Sequence, residues 1–338
     1  MKIHFIKQLA FFLCISCCLL TFSCREDTQT SKPPKTKTSK PKSKPVVRPA
    51  FSGESAYNFI QKQVDFGPRY PGSKAQKECA DWLKAEMEKV ADEVIVQEAQ
   101  VTVPTGEQVP MYNIISSFNP SAKKRVLLSA HWDTRPFADQ DEDEAEQSKP
   151  ILGANDGGSG VGVLMAMAQE LKAKPTENIG VDIIFWDVED SGVSKVRDSF
   201  CLGSQYWGRN PHKPNYTAVW GINLDMVGAN GAVFPQEGHS RKYVPQLVKR
   251  VWAAASALGY SGNFIYEKVS GITDDHYYMN VLGNVPTIDI IQYDPKVFKH
   301  GFGDYWHTHD DDMDIIDKNT LQAVGETVLS IIYQEDGL

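Results

Sequence analysis

The sequence predicts an α/β fold, a single globular domain in which a central mixed, twisted sheet is flanked by helices. Residues 181–186 read VDIIFW, a short β-branched apolar run that is typical of a strand buried on both faces. Two earlier runs resemble a hairpin, and short apolar runs alternate with helical periodicity after them. Because no internal repeat and no second Pro/Ser-rich linker follow residue 50, we expect one domain over residues 51–338.

The individual elements follow from apolar periodicity and from their flanking residues. Helices are predicted over residues 55–64, 73–90, 158–172, 203–207, 244–258 and 321–333, with a further helix that starts at Asp274. Strands are predicted over residues 94–103, 111–118, 126–129, 181–186, 218–224, 264–266 and 285–291. Asp156 stands directly before the third helix and Thr273 before the aspartates at 274 and 275, positions at which such residues cap helices.

The first 24 residues have the pattern of a secretory signal. Two lysines precede an apolar run that ends at Phe22, and this run is too short and too close to the terminus for a membrane span. Ser23-Cys24, followed at once by charged residues, resembles a bacterial lipoprotein signal, although Thr21 replaces the usual leucine. We therefore expect export to the periplasm with a lipid anchor at Cys24; an ordinary cleaved signal is the alternative.

Residues 25–50 form a predicted disordered tether. They are mostly Lys, Pro, Thr and Ser, so they cannot offset their ordering entropy by burial. Beyond position 50 the chain has 25 basic and 41 acidic residues, a net charge of −16. An acidic body of this kind argues against nucleic acid as a partner.

Potential metal ligands follow the predicted strands, where open α/β sheets bind ligands. The adjacent carboxylates of Glu189 and Asp190 repel each other unless a cation or a shared proton separates them, although they could also simply open a solvated loop. Imidazole and carboxylate ligands suit zinc, and a catalytic zinc keeps three protein ligands. The candidates lie at or beyond other strand ends: His131, Asp133, Asp156, Asp225 and His307. One predicted site combines Asp156, Asp190 and His307, and a possible second combines His131 and Asp225 with the shared Asp156.

Three other patterns have simpler explanations. The glycine-rich stretch at 153–162 is not a dinucleotide fingerprint, because Val163 stands where the last glycine is needed. The acidic run at 139–146 suits calcium, but such runs are more often solvated loops. Cys79 and Cys201 either pair in an oxidising compartment or remain buried thiols, since Cys79 lies on an apolar helical face.

Five motifs occur in a fixed order: HWD, AND, VED, NLDMVGA and WHTHDD. From about Gly67 to the C-terminus they resemble the zinc-dependent aminopeptidases of the M28 type and the related animal-type glutaminyl cyclases. The stretch TDDH at 273–276 and the pair Trp306-His307 favour the cyclases. The stretch HWDTRPFADQD resembles the form found in secreted bacterial cyclases.

The resemblance implies a zinc exopeptidase-like fold and a role for each matching residue. Asp156, Asp190 and His307 would be zinc ligands, Glu189 the general acid/base, Asp225 and Asp274 its hydrogen-bond network, and Phe302 and Trp306 the substrate pocket. The implied reaction is the conversion of N-terminal glutamine in peptides or proteins to pyroglutamate with release of ammonia, with one zinc expected and two possible. The alternatives are a dinuclear zinc aminopeptidase and a non-catalytic binding ectodomain.

Two departures from the family pattern concern the site. Many members have Glu-Glu where this chain has Glu189-Asp190, which shortens one ligand by a methylene. A pocket aromatic that usually follows the acidic pair is missing, because Val, Ser and Lys stand at 193–195. Tyr206 and Trp207 are the candidates to replace it.

Overall fold

The computed structural model describes residues 48–338, and a six-stranded sheet lies at its centre. The strands in chain order are β1 (Glu93–Thr102), β2 (Gln108–Phe118), β3 (Arg125–His131), β4 (Gly180–Trp186), β5 (Gly221–Asp225), β6 (Phe234–Gln236), β7 (Phe264–Lys268) and β8 (Thr287–Ile291). The central sheet has the order β1-β2-β4-β3-β5-β8, and β6 pairs with β7 in a separate small sheet.

The central sheet is mixed, as predicted. β1 and β2 form an antiparallel hairpin, and β2 runs antiparallel to β4. β3 is parallel to both β4 and β5, and β5 is parallel to β8. Every residue of these four parallel strands is buried, which is expected where helices cover both faces of a sheet.

Helices cover the sheet on both sides. They are α1 (Gly53–Val64), α2 (Lys74–Glu88), α3 (Gly158–Ala173), α4 (Leu202–Arg209), α5 (Gly238–Tyr243), α6 (Pro245–Leu258), α7 (Asp275–Val281) and α8 (Lys318–Asp336). Residues of α1, α3, α6 and α8 share the large core cluster, whereas Trp207 of α4 and Met279 of α7 pack in a second cluster with Trp186. A Cβ at Gly160 would lie 2.3 Å from the carbonyl oxygen of Leu224, so this glycine lets α3 pack closely on β5.

Most predicted elements are present, with shifted ends. The predicted strand over 218–224 is limited to Gly221–Asp225, and the final helix starts at Lys318, capped by Asp317. β6 and α5 were not predicted, because three residues are too few for a pattern and GHSRKY lacks an apolar face. Glu237 starts α5 instead, since its carboxylate accepts the N–H groups of His239 and Ser240.

The predicted signal over 1–24, Cys24 and the tether up to residue 47 lie outside the described residues. The last tether residues are described: Arg48 pairs with Glu326 of α8 at 3.1 Å. The described residues belong to one compact unit, and within it Cys79 and Cys201 are both free and buried. No helix within residues 48–338 has the length and apolar character needed to cross a bilayer.

Candidate active site

The carboxyl ends of the parallel strands meet at one edge of the sheet. His131 at the end of β3 lies opposite Trp186 at the end of β4. The turn after Trp186 carries Glu189 and Asp190, and β5 ends at Asp225. The predicted ligands therefore come together at the place where open α/β sheets bind ligands.

A cavity of about 230 Å³ opens at this edge. Its walls combine carboxylates with aromatic and small side chains: Asp156, Glu189, Asp190, Ser194, Phe200, Asp225, Met226, Ile272, Thr273, Asp274, Ile291, Phe302, Trp306 and His307. Eight of the predicted site residues are in this set, and His131 lies directly behind Asp156 and Asp225.

Two groups of potential ligands converge, and Asp156 belongs to both. In the first group, Nε2 of His307 lies 3.3 Å from Asp190 Oδ1 and 3.6 Å from Asp156 Oδ2. In the second, Nε2 of His131 lies 3.0 Å from Asp156 Oδ1 and 3.2 Å from Asp225 Oδ1. Each oxygen of Asp156 thus faces a different histidine, and all five side chains are buried.

The spacing of both groups fits a bound zinc ion. Tetrahedral zinc with ligand bonds of about 2.0–2.1 Å holds its ligand atoms about 3.3 Å apart, close to the separations found in both groups. The Oδ2 atom of Asp190 is buried and has no hydrogen-bond partner among the described residues. Buried carboxylates at these distances are stabilised by a cation between them, so the donor set is that of a metal centre.

The loop that presents Asp156 is held from behind. Asp311 accepts the backbone N–H groups of Asn155 and Asp156 at 2.7 and 2.9 Å. Gly157 has φ +94°, and a Cβ there would lie 2.4 Å from the carbonyl oxygen of Asp133. Burial, together with the neighbouring Asp156, raises the pKa of Asp311 to about 8. The loop conformation therefore requires glycine and fixes the shared ligand before α3 begins.

Asp133 belongs to neither ligand group, although its position after β3 made it a candidate. Its two oxygens accept the backbone N–H groups of Glu189 and Asp190 at 2.9 and 3.2 Å, and one oxygen lies 3.6 Å from Nδ1 of His131. Asp187, at the end of β4, is also buried and bonds to β2 and α2. Both carboxylates position the ligand-bearing turns.

Four residues at the site other than glycine have left-handed backbone conformations. They are Val188, Cys201, Met226 and His307, with φ values of +54°, +59°, +48° and +58°. Such values are unfavourable for side chains with a Cβ, and most of all for β-branched valine. Val188 directly precedes Glu189, and Met226 directly follows Asp225. The backbone strain is therefore concentrated where functional side chains are oriented toward the cavity.

Glu189 is held by a cysteine. The Cys201 thiol donates to Glu189 Oε1 at 3.0 Å, and the Cys201 N–H donates to the Glu189 carbonyl oxygen at 2.8 Å. Burial raises the pKa of Glu189 well above its usual range; neighbouring carboxylates add to this effect, and His131 opposes it. The carboxyl of Glu189 therefore holds a proton more tightly than an ordinary glutamate does.

Asp225 and Asp274 lie beside Glu189, but they do not form the direct hydrogen bonds to it that the resemblance implies. Oxygens of Glu189 and Asp274 lie within 4.8 Å of each other, yet no direct hydrogen bond joins Glu189 to Asp225 or Asp274 within residues 48–338. Asp274 instead accepts a hydrogen bond from Asn223 at 2.8 Å, and burial raises the pKa of Asp225 to about 7. Asp274 acts on Glu189 through its charge.

The aromatic wall consists of the two predicted residues and a third. The ring centroids of Phe302 and Trp306 are 5.0 Å apart, and Trp306 stacks on His307 at 3.7 Å. Phe200 also lines the cavity. It was missed because it follows Asp190 by ten positions, and only the hydrogen bonds from Cys201 back to Glu189 return it to the site.

Neither aromatic that was expected to replace the missing one lines the cavity. Trp207 packs against Trp186 and Tyr216 at centroid distances of 5.6 and 5.3 Å. Tyr206 packs beside the cluster around Val188. Both lie on α4, which faces the sheet, so the replacement is Phe200 in the loop before α4.

Arg135 and Asp139 form a clamp behind two of the ligands, and the sequence did not indicate it. Arg135 is buried and donates to the Asp190 carbonyl oxygen at 3.0 Å and to Asp190 Oδ1 at 3.1 Å. Its other nitrogens donate to Asp139 at 2.6 and 3.0 Å, and Asp139 Oδ1 lies 3.2 Å from Nδ1 of His307. Burial opposes ionisation of Asp139, but His307 and Arg135 outweigh it and lower its pKa. The acidic run thus begins with a residue that supports the site.

Comparisons with known proteins agree with this geometry. A model of peptidase family M28 matches residues 113–332. A glutaminyl-peptide cyclotransferase of Boiga irregularis is 25% identical over 298 residues, covering 79% of this chain and 77% of the relative. The crystal structure of Tannerella forsythia glutaminyl cyclase has a TM-score of 0.82 and 49% identity, covering 84% of this chain and 99% of that chain. The crystal structure of a zinc-dependent exopeptidase from Parabacteroides distasonis has a TM-score of 0.83 and 47% identity, covering 85% of this chain and 99% of that chain.

The predicted resemblance and the zinc exopeptidase-like fold are thereby confirmed. The matched region contains all five residues of the two ligand groups as well as Glu189. The chain belongs to peptidase family M28.

Proposed function

We propose that this protein is a zinc-dependent glutaminyl-peptide cyclotransferase that converts the N-terminal glutamine of peptides or proteins to pyroglutamate and releases ammonia. The observation that carries the proposal is the small pocket, in which Phe200, Phe302 and Trp306 enclose Glu189 beside the ligand group. Its volume of about 230 Å³ is below the range of about 300–1,000 Å³ of most ligand pockets, so it suits one residue. Similarity to solved glutaminyl cyclases supports this choice.

Asp156, Asp190 and His307 would hold the zinc ion. Bound there, zinc would supply a Lewis acid for the side-chain carbonyl of the substrate glutamine. We expect one ion; the group of His131, Asp156 and Asp225 offers room for a second. The shorter Asp190 is accommodated because its turn is fixed by Asp133 and Arg135.

The reaction needs no activated water, because the nucleophile is the substrate's own α-amine. This amine is tethered to the carbonyl carbon that it attacks, which removes much of the entropic barrier. A new C–N bond closes the ring, the C–N bond of the side-chain amide breaks, and ammonia leaves. The pocket aromatics exclude water that would compete with the amine.

Glu189 would move the proton. It takes one proton from the attacking amine and gives it to the departing ammonia, so it must accept and donate near neutral pH. Its burial and the nearby charge of Asp274 raise its pKa toward that range. The Cys201 thiol holds one carboxylate oxygen, which leaves the other oxygen for the substrate.

The alternative is a dinuclear zinc aminopeptidase. The observation that favours it is the intact second group, since His131, Asp156 and Asp225 still converge. The two groups would then hold a pair of ions, which would supply Lewis acids for activating water and for binding the amine of the peptide. A non-catalytic binding domain is disfavoured, because Glu189 and all five ligand positions are present.

Glutamine-to-pyroglutamate conversion by the purified protein tests the proposal. Ammonia release and a blocked N-terminus are measured with a glutaminyl peptide, and release of free residues is measured with a leucyl peptide as the control. Glu189→Gln should lower kcat by at least about 10²-fold while zinc is retained. His307→Ala should lose zinc. Free amino acids without ammonia would establish the peptidase, and a near wild-type rate in Glu189→Gln would exclude its role.

We also propose export to the periplasm, with a lipid anchor at Cys24 and residues 25–50 as a spacer. The supporting feature is the leader with Ser23-Cys24 at its end. One acyl chain binds membranes only marginally, so the several chains of a lipoprotein would be needed. On cell fractionation, the wild-type protein should be found with the membranes and the Cys24→Ala variant in the soluble fraction. If the variant stays with the membranes, the lipid anchor is contradicted.

A further inference from the structure

A second cavity lies directly beside the candidate active site. Its volume is about 350 Å³, and it shares Phe200 and Thr273 with the active-site pocket. The loop over residues 193–199 forms one side, and Tyr277 and Tyr278 of α7 belong to the other. The two cavities meet at Phe200 and Thr273, and we call the second one the α7 groove.

The α7 groove combines apolar surface with positive charge. Val193 and Val196 are 40% and 51% exposed, which is unusual for valine beside an active site. Lys195 is exposed and has no ion pair within residues 48–338. Arg197 is 94% exposed, and its nearest carboxylate, Asp198, is 3.9 Å away. Two cations at the rim are thus available to a ligand.

The residues that line the α7 groove include two cations, Lys195 and Arg197, and one carboxylate, Asp198. Asp198 accepts a hydrogen bond from the Tyr278 hydroxyl at 2.9 Å. The groove also contrasts with its surroundings, because the chain beyond residue 50 carries a net charge of −16 and the adjacent pocket is lined by five carboxylates. An anionic group on a peptide that reaches this rim would therefore be attracted to its two cations.

We propose that the α7 groove binds the residues that follow the N-terminal glutamine and selects peptides with an acidic side chain at the third or fourth position. This proposal rests on the proposed cyclase function. An extended peptide advances about 3.3 Å per residue, so those positions lie about 7–10 Å from the glutamine, beyond the wall shared by the two cavities. The exposed valines and the half-buried Tyr277 contact the neighbouring apolar side chains, and Lys195 and Arg197 attract the carboxylate.

Cyclisation of matched peptides tests the proposal. The amidated peptides Gln-Ala-Glu-Ala, Gln-Ala-Gln-Ala and Gln-Ala-Lys-Ala differ only in the third residue, which is negative, neutral or positive. Gln-Ala amide is the reference, because it is too short to reach the α7 groove. Exposed ion pairs contribute little each, so we expect a KM about 2- to 5-fold lower for the Glu peptide than for the Gln peptide. KM should increase from the Glu peptide to the Gln peptide to the Lys peptide, and high salt should reduce these differences in KM.

Charge reversal identifies the residues. The double variant Lys195→Glu and Arg197→Glu should invert the preference toward the Lys peptide and leave kcat for Gln-Ala amide unchanged. Lys249→Glu is the matched control, because Lys249 is exposed on α6 and lines neither cavity. It reverses one positive charge where the double variant reverses two, and it should keep the wild-type order.

The outcomes separate this proposal from the proposed function. Equal KM values for the three peptides, or an unchanged order in the double variant, would overturn the acidic preference while cyclisation itself stands. If no glutaminyl peptide is cyclised, the proposed function fails and the selection proposal fails with it. If the order of KM values is inverted in the double variant but not in Lys249→Glu, the assignment of Lys195 and Arg197 is supported.

Discussion

Asp139→Asn should weaken zinc binding although Asp139 is not itself a ligand. The substitution preserves the shape of the side chain but removes the charge that faces Nδ1 of His307 at 3.2 Å and pairs with Arg135 at 2.6 Å. Partners behind a metal-bound histidine typically account for about 10- to 100-fold in metal affinity. This is about 1.4–2.7 kcal/mol at 1.36 kcal/mol per decade.

Two opposing features of the structure indicate how large the loss of zinc affinity should be within the range of about 10- to 100-fold. Without Asp139, the buried Arg135 would keep its charge against Asp190 and compete with zinc for that ligand, which increases the loss. The side chain of Asp139 is 31% exposed, so water screens part of its charge and reduces the loss. We therefore expect a loss of about 30-fold, or about 2 kcal/mol.

Zinc affinity is measured by competition between the metal-free protein and a chromophoric chelator. The thermal unfolding midpoint of the metal-free protein shows whether the fold is intact. Asp141→Asn is the control, because Asp141 lies in the same loop but bonds His309 at 2.8 Å rather than a ligand. The reasoning would be refuted if Asp139→Asn bound zinc as tightly as Asp141→Asn did.

Three further predictions concern the pocket, the core and the response to acid. Phe200→Ala should raise KM roughly fivefold, through loss of about 1 kcal/mol of apolar contact with the substrate, whereas Tyr206→Ala should leave KM unchanged in steady-state kinetics. Asp182→Asn should lower the free energy of unfolding by about 3–5 kcal/mol in urea titrations, because it leaves the buried guanidinium of Arg125 without its partner; a change below about 1 kcal/mol would contradict this. Burial lowers the pKa of His212 from 6.5 to about 4, so the unfolded chain takes up this proton first and stability should fall between pH 6.5 and 4. The loss should be about 2 kcal/mol after allowance for partial exposure, and His212→Gln should flatten this part of the pH profile of unfolding.

The buried strands and the ligands at their ends were the predictable part of the molecule. A strand in a parallel sheet brings whatever follows it to one edge, so the runs before His131, Glu189 and Asp225 were enough to place these residues together. Asp156 and His307 lie in loops, so the strand pattern did not place them, and their grouping with Asp190 depended on the ligand chemistry of zinc and on the resemblance to a known family.

The remaining features depend on contacts that leave no local pattern. Arg135 and Asp139 are four residues apart in a loop, and their importance comes only from their contacts with Asp190 and His307. Phe200 returns to the pocket through backbone hydrogen bonds of the residue that follows it. Short elements such as β6 and α5 are formed by tertiary contacts and by a single capping carboxylate, so periodicity could not indicate them.

The hydrogen bonds from the backbone N–H groups of Asn155 and Asp156 to Asp311 have a consequence for the order of folding. They join residues 156 and 155 positions apart, and His307 lies just before Asp311 on the same late segment. Closing so large a loop is entropically costly, so this segment docks late unless other contacts compensate. A nascent chain that ends before this segment lacks His307, so the group of Asp156, Asp190 and His307 is incomplete. Metal capture by this group should therefore follow near-complete folding, after which the ion opposes reopening of the last segment to dock.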